Sequence, residues 1–381
     1  MKMSDDLAGS YTLVVPTFNR PQLLRRLLRY LELCGARFPV LVLDSSAPEN
    51  KRLNAETLTG LKLRVRRIEY DPAVPPFEKF GAGAAEVDTP FLSLCADDDI
   101  VLVPSLAPVI RFLARNPDHS AAHGLYFNFE EQARARAPWH TTVSALFYRG
   151  PSIDVPAPAQ RLAQLFRRYE ALTYAVYRTD VAVRVYQESR QMESILAREL
   201  LSGALTVLAG KTARLKVIYY GRSTGPSAGY KNWHPLEWIA TDPAGMFREY
   251  AAYRRAVVRA MAPGGVTAEE ATRLCDLIHL RYLSAFLDPR YLDFALERNL
   301  ARVPHDHVVA AVWRFWNERA ARGWRGLARK VLPARRIASG ENRYRFEPAF
   351  LYAGPRREVR VTRREIDAIV SCLDSYSSAL A

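Results

Sequence analysis

The chain has 381 residues, of which 49% are hydrophobic and 25% charged, and a formal net charge of +14. This composition excludes fibrous, low-complexity and wholly disordered proteins, and the length suits about two domains. No apolar stretch approaches the ~20 residues that span a bilayer, and the acidic N-terminus carries no secretory signal. Four scattered cysteines without metal-ligand spacing are typical of reduced thiols, so we expect a cytoplasmic protein.

The elements alternate along the chain. Strands are expected over residues 11–15, 40–43, 64–70 and 91–94, with helices from Pro21 to Gly35 and over 76–87. Next come a strand over 121–129, a loop-rich stretch over 130–158 and a helix over 159–169. They are followed by a strand over 171–177, a helix over 192–209 and a strand over 214–220, and from residue 242 the pattern is helical. Alternation of this kind predicts an α/β fold, a mostly parallel sheet flanked by helices, over residues 1–240, and a helical, basic region over 241–381.

The positive charge is concentrated near the C-terminus. Residues 314–364 contain fourteen Arg and one Lys against four Glu, which places +11 of the net charge in this window. Such a segment favours an anionic partner. We expect a peripheral contact with the anionic inner face of the membrane or with a phosphate-bearing lipid. The alternative is a solvated Arg-rich helix face. Nucleic acid is a less favoured partner because no nucleic-acid-reading motif occurs.

Polar clusters follow three of the expected strands. Thr17-Phe-Asn-Arg20, Asp44-Ser-Ser46 and Asp97-Asp-Asp99 each come where an apolar run ends. Because the carboxyl ends of parallel strands lie at one edge of a sheet, these clusters are expected to converge there.

Three consecutive carboxylates repel one another unless a cation neutralises them. Mg²⁺ or Mn²⁺, held by one or two carboxylates and by the phosphates of a substrate, suits the triplet Asp97–Asp99. The alternative interpretation is an acidic loop that caps the next element.

The order of the motifs Val14-Val-Pro-Thr-Phe-Asn-Arg20, Val42-Leu-Asp-Ser-Ser46 and Thr89-Pro-Phe-Leu-Ser-Leu-Cys-Ala-Asp-Asp-Asp99 resembles glycosyltransferase family 2. The resemblance covers about residues 11–220 and implies a GT-A fold, a single nucleotide-binding α/β domain. It also implies inverting, metal-dependent transfer of a sugar from a nucleotide-sugar donor to a glycan or lipid-linked hydroxyl acceptor. Bacterial polysaccharide or cell-envelope glycan synthesis is the expectation at the level of the family.

The same resemblance implies roles for individual residues. Lys79 is expected to approach the diphosphate, Asp98 is the expected metal ligand, and Asp99 is a substitute for Asp97 or Asp98. Cys95 stands where many members have aspartate, and a soft thiol is a poor Mg²⁺ ligand. The nucleotide-binding residues implied are Pro16, Thr17, Asn19, Arg20, Asp44, Ser45, Lys79 and Asp97.

The family takes its catalytic base from an acidic pair at the start of a helix that ends at a glycine. Counted back from Gly210, the base matches Glu199, and the preceding acid matches Arg198, which departs from the pattern. Glu193, earlier on the same expected helix, is the competing candidate. The alternative is that both are ordinary exposed glutamates. Arg222 is a candidate for neutralising the leaving diphosphate.

Two other functions are compatible with this sequence. A sugar nucleotidyltransferase would share the sheet, but it usually has a Gly- and Arg-rich phosphate loop where this chain has Pro16-Thr-Phe-Asn-Arg20. A catalytically idle α/β protein that binds membrane or nucleic acid through its basic C-terminal region is the third hypothesis.

Overall fold

The computed structural model describes residues 7–134, 137–147, 151–223 and 242–284. Within these ranges the strands are β1 (Tyr11–Thr17), β2 (Val40–Asp44), β3 (Val65–Glu69), β4 (Phe91–Leu94), β5 (Ile100–Val101), β6 (His119–Arg134), β7 (Ala137–Phe147), β8 (Val176–Arg178) and β9 (Lys211–Ser223). The helices are α1 (Pro21–Leu33), α2 (Pro48–Leu58), α3 (Pro76–Ala85), α4 (Val103–Arg115), α5 (Pro158–Arg167), α6 (Thr179–Ser189), α7 (Ile195–Ala209), α8 (Pro243–Met261) and α9 (Ala268–Ser284).

All of these strands belong to one sheet, in the order β3-β2-β1-β4-β8-β6-β9-β5, with β7 beside β6. Strands β1 to β4 are parallel to one another, and β8 is antiparallel to both β4 and β6. Strand β9 is parallel to β6, while β5 and β7 run the opposite way. The structure thus confirms the predicted α/β fold, with most strands running in one direction.

Helices cover both faces of the sheet. Alternate side chains of a strand point to opposite faces, so Leu13 and Val15 pack with α1 and α4, whereas Val14 packs with α3 and α6. Alternate side chains of β2 likewise pack on opposite faces of the sheet. The predicted helical spacing of α1 is confirmed, because Leu24, Leu27, Leu28 and Leu31 are buried and Gly35 follows its end with a φ of +67°.

A third core joins α5 and α7 to the helices that follow residue 242. Leu162, Leu200, Val257 and Cys275 are buried members of this cluster. The region from 242 to 284 is helical, as expected, while the basic segment 314–364 lies outside the described residues. The domain boundary near residue 240 stays a prediction. No described helix is both long and apolar enough to cross a membrane.

The expectation of loops over residues 130–158 is wrong for 130–134 and 137–147, which are strands, whereas 151–157 contain no helix or strand. Strand β6 continues to Arg134 and pairs with β7 as an antiparallel ribbon, and α5 starts at Pro158. The polar sequence there lacks the apolar alternation of a half-buried strand, so pairing between distant backbone segments decides its structure. The expected strand over 171–177 is shorter and shifted, since β8 covers Val176–Arg178.

Three helices and the short strand β5 were missing from the sequence-based assignment. Helix α2 buries only Asn54, so it has no apolar stripe. Helix α4 contains Pro108, which normally interrupts a helix. Helix α6 begins Thr-Asp-Val-Ala-Val-Arg-Val, where the spacing of valines mimics a strand.

The pairing of β6 with β9 leaves no room for a side chain at Gly124. An added Cβ would lie 2.3 Å from the Val217 carbonyl oxygen and 2.6 Å from the Tyr219 Cβ. We expect Gly124→Ala to lower the free energy of unfolding by about 1–3 kcal/mol, because backbone must move. Urea unfolding measures this, with Gly9→Ala as the control, since nothing lies within 4 Å of its added Cβ. Equal stability of the two variants would contradict the prediction.

Candidate functional site

The turns after β1 and β2 are bound to each other at one edge of the sheet. Thr17 pairs with Asp44 in the parallel register, so both strands end level. Asn19 adopts a φ of +54°, a left-handed conformation that asparagine tolerates better than most residues. Its backbone N–H donates to Ser46 Oγ at 2.9 Å, and its Oδ1 accepts from the N–H of Ala47 at 2.8 Å. The first two polar clusters therefore form one unit.

The carboxylate of Asp44 is fully buried beneath this unit. Its Oδ1 accepts from the N–H of Ser46 at 2.9 Å, which closes the turn. Its Oδ2 accepts from Asn54 Nδ2 at 2.9 Å and from Arg67 Nη1 at 3.2 Å. These contacts are internal, so the role of Asp44 towards a base stays a prediction, and its observed effect is to shape the turn.

Lys79 brings a positive charge from α3 to the underside of the strand ends. The side chain is buried, and Nζ donates to the Thr17 carbonyl at 3.1 Å and to Ser45 Oγ at 2.7 Å. Burial lowers the pKa of Lys79 to about 8, while the negative charges of Asp97 and Asp44 oppose this shift. Lys79 thus joins β1 to β2, and its predicted contact with a diphosphate stays a prediction.

The third cluster meets the first through Asp97 and Asp98. Thr17 Oγ1 donates to Asp97 Oδ2 at 2.7 Å. Arg20 Nη1 lies 3.3 Å from Asp97 Oδ1 and 2.8 Å from Asp98 Oδ2. Burial and the charge of Asp98 raise the pKa of Asp97 to about 6, although Thr17 and Arg20 lower it. The predicted convergence of the strand-end clusters is therefore present in the structure.

Arg26 of α1 contacts the backbone of the acidic triplet, a role that was not predicted from the sequence. This residue of α1 is almost completely buried, with Nη2 donating to the Asp98 carbonyl at 2.6 Å and its guanidinium 5.7 Å from the centre of the Phe129 ring. An arginine among the apolar positions of an amphipathic helix was the available signal, because a charge on that face needs a buried partner.

Asp99 has different hydrogen-bond partners from Asp97 and Asp98. Its Oδ2 accepts from the Tyr220 hydroxyl at 3.0 Å, and its Oδ1 accepts from the N–H of Ser223 at 2.8 Å. Burial, followed by the charge of Asp98, raises the pKa of Asp99 to about 7. The acidic triplet therefore divides: two carboxylates contact Arg20, while the third holds the end of β9.

This division bears on the expected metal. Among the described residues, no group of three His, Cys, Asp or Glu side chains is arranged to hold an ion. Mg²⁺ needs fewer protein ligands, because it is often bound by one or two carboxylates together with substrate phosphates. The hard oxygens of Asp97 and Asp98 fit that donor set. Cys95 does not, since burial raises the pKa of its thiol well above the usual value.

Glu199 lies in the first turns of α7 among aromatic side chains. Tyr169 donates its hydroxyl to the Glu199 carboxylate, with 3.3 Å between Oη and Oε1. Burial raises the pKa of Glu199 to about 7, and the positive charge of Arg222 and the hydrogen bond from Tyr169 both oppose this rise. A carboxylate with a pKa near neutrality is suited to taking up a proton.

Arg222 relates Glu199 to the acidic cluster. Its charge lowers the pKa of both Glu199 and Asp99, and its guanidinium lies 5.8 Å from the centre of the Tyr174 ring. The Tyr174 ring stacks on Tyr220 at 4.8 Å, and the Tyr220 hydroxyl contacts Asp99. A role for these tyrosines was not predicted from the sequence, because their stacking joins segments that are distant along the chain.

Glu193 is placed differently from the expectation. Helix α7 begins at Ile195 with Ser194 as its N-cap, so Glu193 is not on the helix. Its side chain is exposed, and its backbone N–H donates to the buried carboxylate of Glu249. Arg198 is likewise held by local contacts, since its Nε donates to the Met192 carbonyl. The described contacts of Glu193 are with the α8 side of the molecule.

The predicted site residues are thus only partly brought together, and Asp99 is held on the β9 side. Glu199 is near the acidic cluster through Arg222, and Glu193 has contacts elsewhere. Pro16 lies inside β1, opposite Leu43 of β2. The predicted residues joined at the sheet edge by hydrogen bonds are Thr17, Asn19, Arg20, Asp44, Ser45, Lys79, Asp97 and Asp98.

No protein-family model matches this chain, and no curated protein matches it. Among solved structures, it is similar to residues 1–349 of S. aureus TarS in complex with UDP-GlcNAc, with 14% identity over 72% of this chain and 73% of that chain and a TM-score of 0.48. A crystal structure of S. aureus TarS shares 13% identity over 72% of this chain and 43% of that chain, with a TM-score of 0.46. Similarity at this level assigns neither a family nor a ligand, so membership of glycosyltransferase family 2 stays a prediction.

Proposed function

We propose that this protein is an inverting glycosyltransferase that moves a sugar from a nucleotide-sugar donor to a hydroxyl of a glycan or lipid-linked acceptor. The observation that carries the proposal is the hydrogen-bonded meeting of three strand-end clusters. Thr17 and Arg20 contact Asp97, and the Asn19 N–H donates to Ser46. Ligands of α/β sheets collect at this edge. The candidate base Glu199 lies within the electrostatic reach of Arg222, as does Asp99.

Each group has a chemical task in the proposed reaction. The turn formed by Asn19 and Ser46 offers a rigid surface for the nucleoside, and Arg20 and Lys79 supply positive charge next to the diphosphate. Glu199 accepts the proton of the acceptor hydroxyl as that oxygen attacks the anomeric carbon, while the bond to the diphosphate breaks. Attack on the face opposite the leaving group inverts the anomeric centre.

Asp97 and Asp98 are the residues that would hold Mg²⁺ or Mn²⁺. When bound there, the ion would stabilise the negative charge that develops on the departing diphosphate. The chain's own contribution at this point is to keep two carboxylates adjacent despite their repulsion, which Arg20 and the hydroxyl of Thr17 achieve.

Calorimetric titration with UDP, GDP, CDP, dTDP and ADP, with and without Mn²⁺, tests the proposal. We expect one of these nucleotides to bind, and to bind at least about tenfold more weakly when EDTA removes the ion. Asp98→Asn should reduce the binding, whereas Asp180→Asn should not, because the described ion pair of Asp180 is with exposed Arg184 on α6. Binding of none of the nucleotides would reject the proposal and favour an idle α/β protein, while pyrophosphate release from a nucleoside triphosphate would indicate a nucleotidyltransferase.

The pKa of Glu199 predicts the pH dependence of turnover. A base acts in its ionised form, so turnover should fall about tenfold per pH unit below pH 7 and level off above it. Tyr169→Phe removes a hydrogen bond that stabilises the charged carboxylate, and the acidic limb should therefore move to higher pH. Rates of nucleoside diphosphate release between pH 5 and 9 measure this, with Tyr250→Phe as the control, whose hydroxyl contacts Asp276 instead. An unmoved limb in Tyr169→Phe would argue against Glu199 as the base.

A further inference from the structure

Arg20 occupies the space between the two carboxylates that fit a divalent cation. A single nitrogen, Nη1, lies 2.8 Å from Asp98 Oδ2 and 3.3 Å from Asp97 Oδ1. The Arg20 and Asp98 side chains are 25% and 24% exposed, so both are open to exchange with solvent, whereas Asp97 is 5% exposed. One positive group thus contacts both carboxylates, as an ion would do, although it offsets only one of their two negative charges.

The main chain holds these partners in register. Arg20 is the N-cap residue of α1 and follows the left-handed Asn19, whose contacts with Ser46 and Ala47 fix the turn. Arg26, on the same helix, donates to the Asp98 carbonyl at 2.6 Å. Helix α1 therefore positions both the guanidinium and the carboxylate that it meets, while the Arg20 side chain keeps several rotatable bonds.

We propose that Arg20 is an internal counter-ion that a divalent cation displaces, and that its release couples binding of the cation to binding of a diphosphate. A +1 guanidinium and a +2 ion repel each other and compete for the same carboxylate oxygens. Once displaced, the guanidinium is free to form paired hydrogen bonds with phosphate oxygens. The diphosphate part of this proposal rests on the proposed function, whereas the competition between Arg20 and the cation does not.

The coupling has a defined thermodynamic consequence. If the cation frees Arg20 for the diphosphate, each ligand must strengthen binding of the other by the same factor. Without nucleotide, the wild-type protein binds the cation weakly, because the cation must first break the contacts of Arg20 with Asp97 and Asp98. Removal of the Arg20 charge should strengthen cation binding in the absence of nucleotide. It should also reduce the coupling to the part that the cation's own attraction for the phosphates supplies.

Mn²⁺ binding to the nucleotide-free protein, followed through the electron paramagnetic resonance signal of free Mn²⁺, tests the competition. We expect Arg20→Gln to bind Mn²⁺ at least about tenfold more tightly than the wild type, since the positive competitor is absent. Adding Asp98→Asn to Arg20→Gln should remove this gain. Arg184→Gln is the matched control, because it also loses an arginine–carboxylate pair, but one on the exposed surface of α6.

Thermal unfolding of each variant shows whether it is folded, and Arg20→Met replaces Arg20→Gln if the latter does not unfold cooperatively. Unchanged Mn²⁺ affinity in the Arg20 variant, or no binding in either protein, overturns the proposal. A second titration adds the nucleoside diphosphate that binds best. Mn²⁺ should tighten its binding to the wild type at least tenfold and to Arg20→Gln by a smaller factor. If no nucleotide binds, the proposed function is rejected. The Mn²⁺ titration of the nucleotide-free protein then still decides whether Arg20 and the cation compete.

Discussion

Replacing Glu199 with glutamine should lower turnover by about 10²–10⁴-fold, the usual contribution of a positioned general base. Glutamine preserves the size of the side chain and can still accept a hydrogen bond from Tyr169, so the fold should be unaffected. What is lost is the ability to take up the proton of the acceptor hydroxyl. Affinity for the nucleoside diphosphate should stay within about twofold, because Glu199 contacts neither the turns after β1 and β2 nor Asp97.

The measurement is release of nucleoside diphosphate from the nucleotide sugar whose diphosphate binds in calorimetry. Glu193→Gln is the matched control, because Glu193 is exposed, precedes α7 and lies close to it in sequence. Its turnover should equal that of the wild type. A large loss in Glu193→Gln with normal turnover in Glu199→Gln would assign the base to the other residue.

Asp44→Ala should lower the free energy of unfolding by about 2–4 kcal/mol. The substitution removes a buried acceptor from the Ser46 N–H, from Asn54 and from the Arg67 guanidinium at once. Donors left without an acceptor in a buried position are strongly destabilising, and here one of them carries a charge. Arg67 retains its contacts with Lys51 and Glu69, which limits the loss.

Urea unfolding followed by circular dichroism gives this free energy. Asp180→Ala is the control, since it breaks an arginine–aspartate pair that is exposed on both sides and should change stability by less than about 1 kcal/mol. Asp44→Ala should also weaken nucleotide binding, because the turn that Asp44 closes carries Ser45 and contacts Asn19. Normal stability together with lost nucleotide binding would instead indicate that Asp44 acts directly on the ligand.

Most carboxylates of the candidate site are shielded from water, whereas Asp98 is 24% exposed. Burial raises the pKa of Asp97, Asp99 and Glu199, to about 6, 7 and 7. Arg20, Arg222 and Lys79 partly offset this, because opposite charges favour the ionised carboxylate. These positive charges and the raised pKa of Glu199 are what the proposed function requires, namely an anionic ligand and proton uptake near neutral pH.

Local pattern was sufficient for several features. The spacing of leucines in α1, with Pro21 at its start and Gly35 after its end, determined that helix, because helix periodicity and chain punctuation act over a few residues. Apolar runs determined β1, β2 and β4, and the polar residues that follow them had to share an edge once the strands were parallel. The fold class and most residues of the candidate site follow from these facts.

The remaining features were decided by contacts between residues far apart in the sequence. Nothing local separates Asp99 from Asp98, yet Tyr220 and Ser223, more than a hundred residues later, hold Asp99 on the β9 side. In the same way, β7 forms by pairing with β6 where its own polar sequence favours loops. Arg26 and Tyr169 joined the site for the same physical reason: a buried polar group takes whichever partner tertiary packing brings to it.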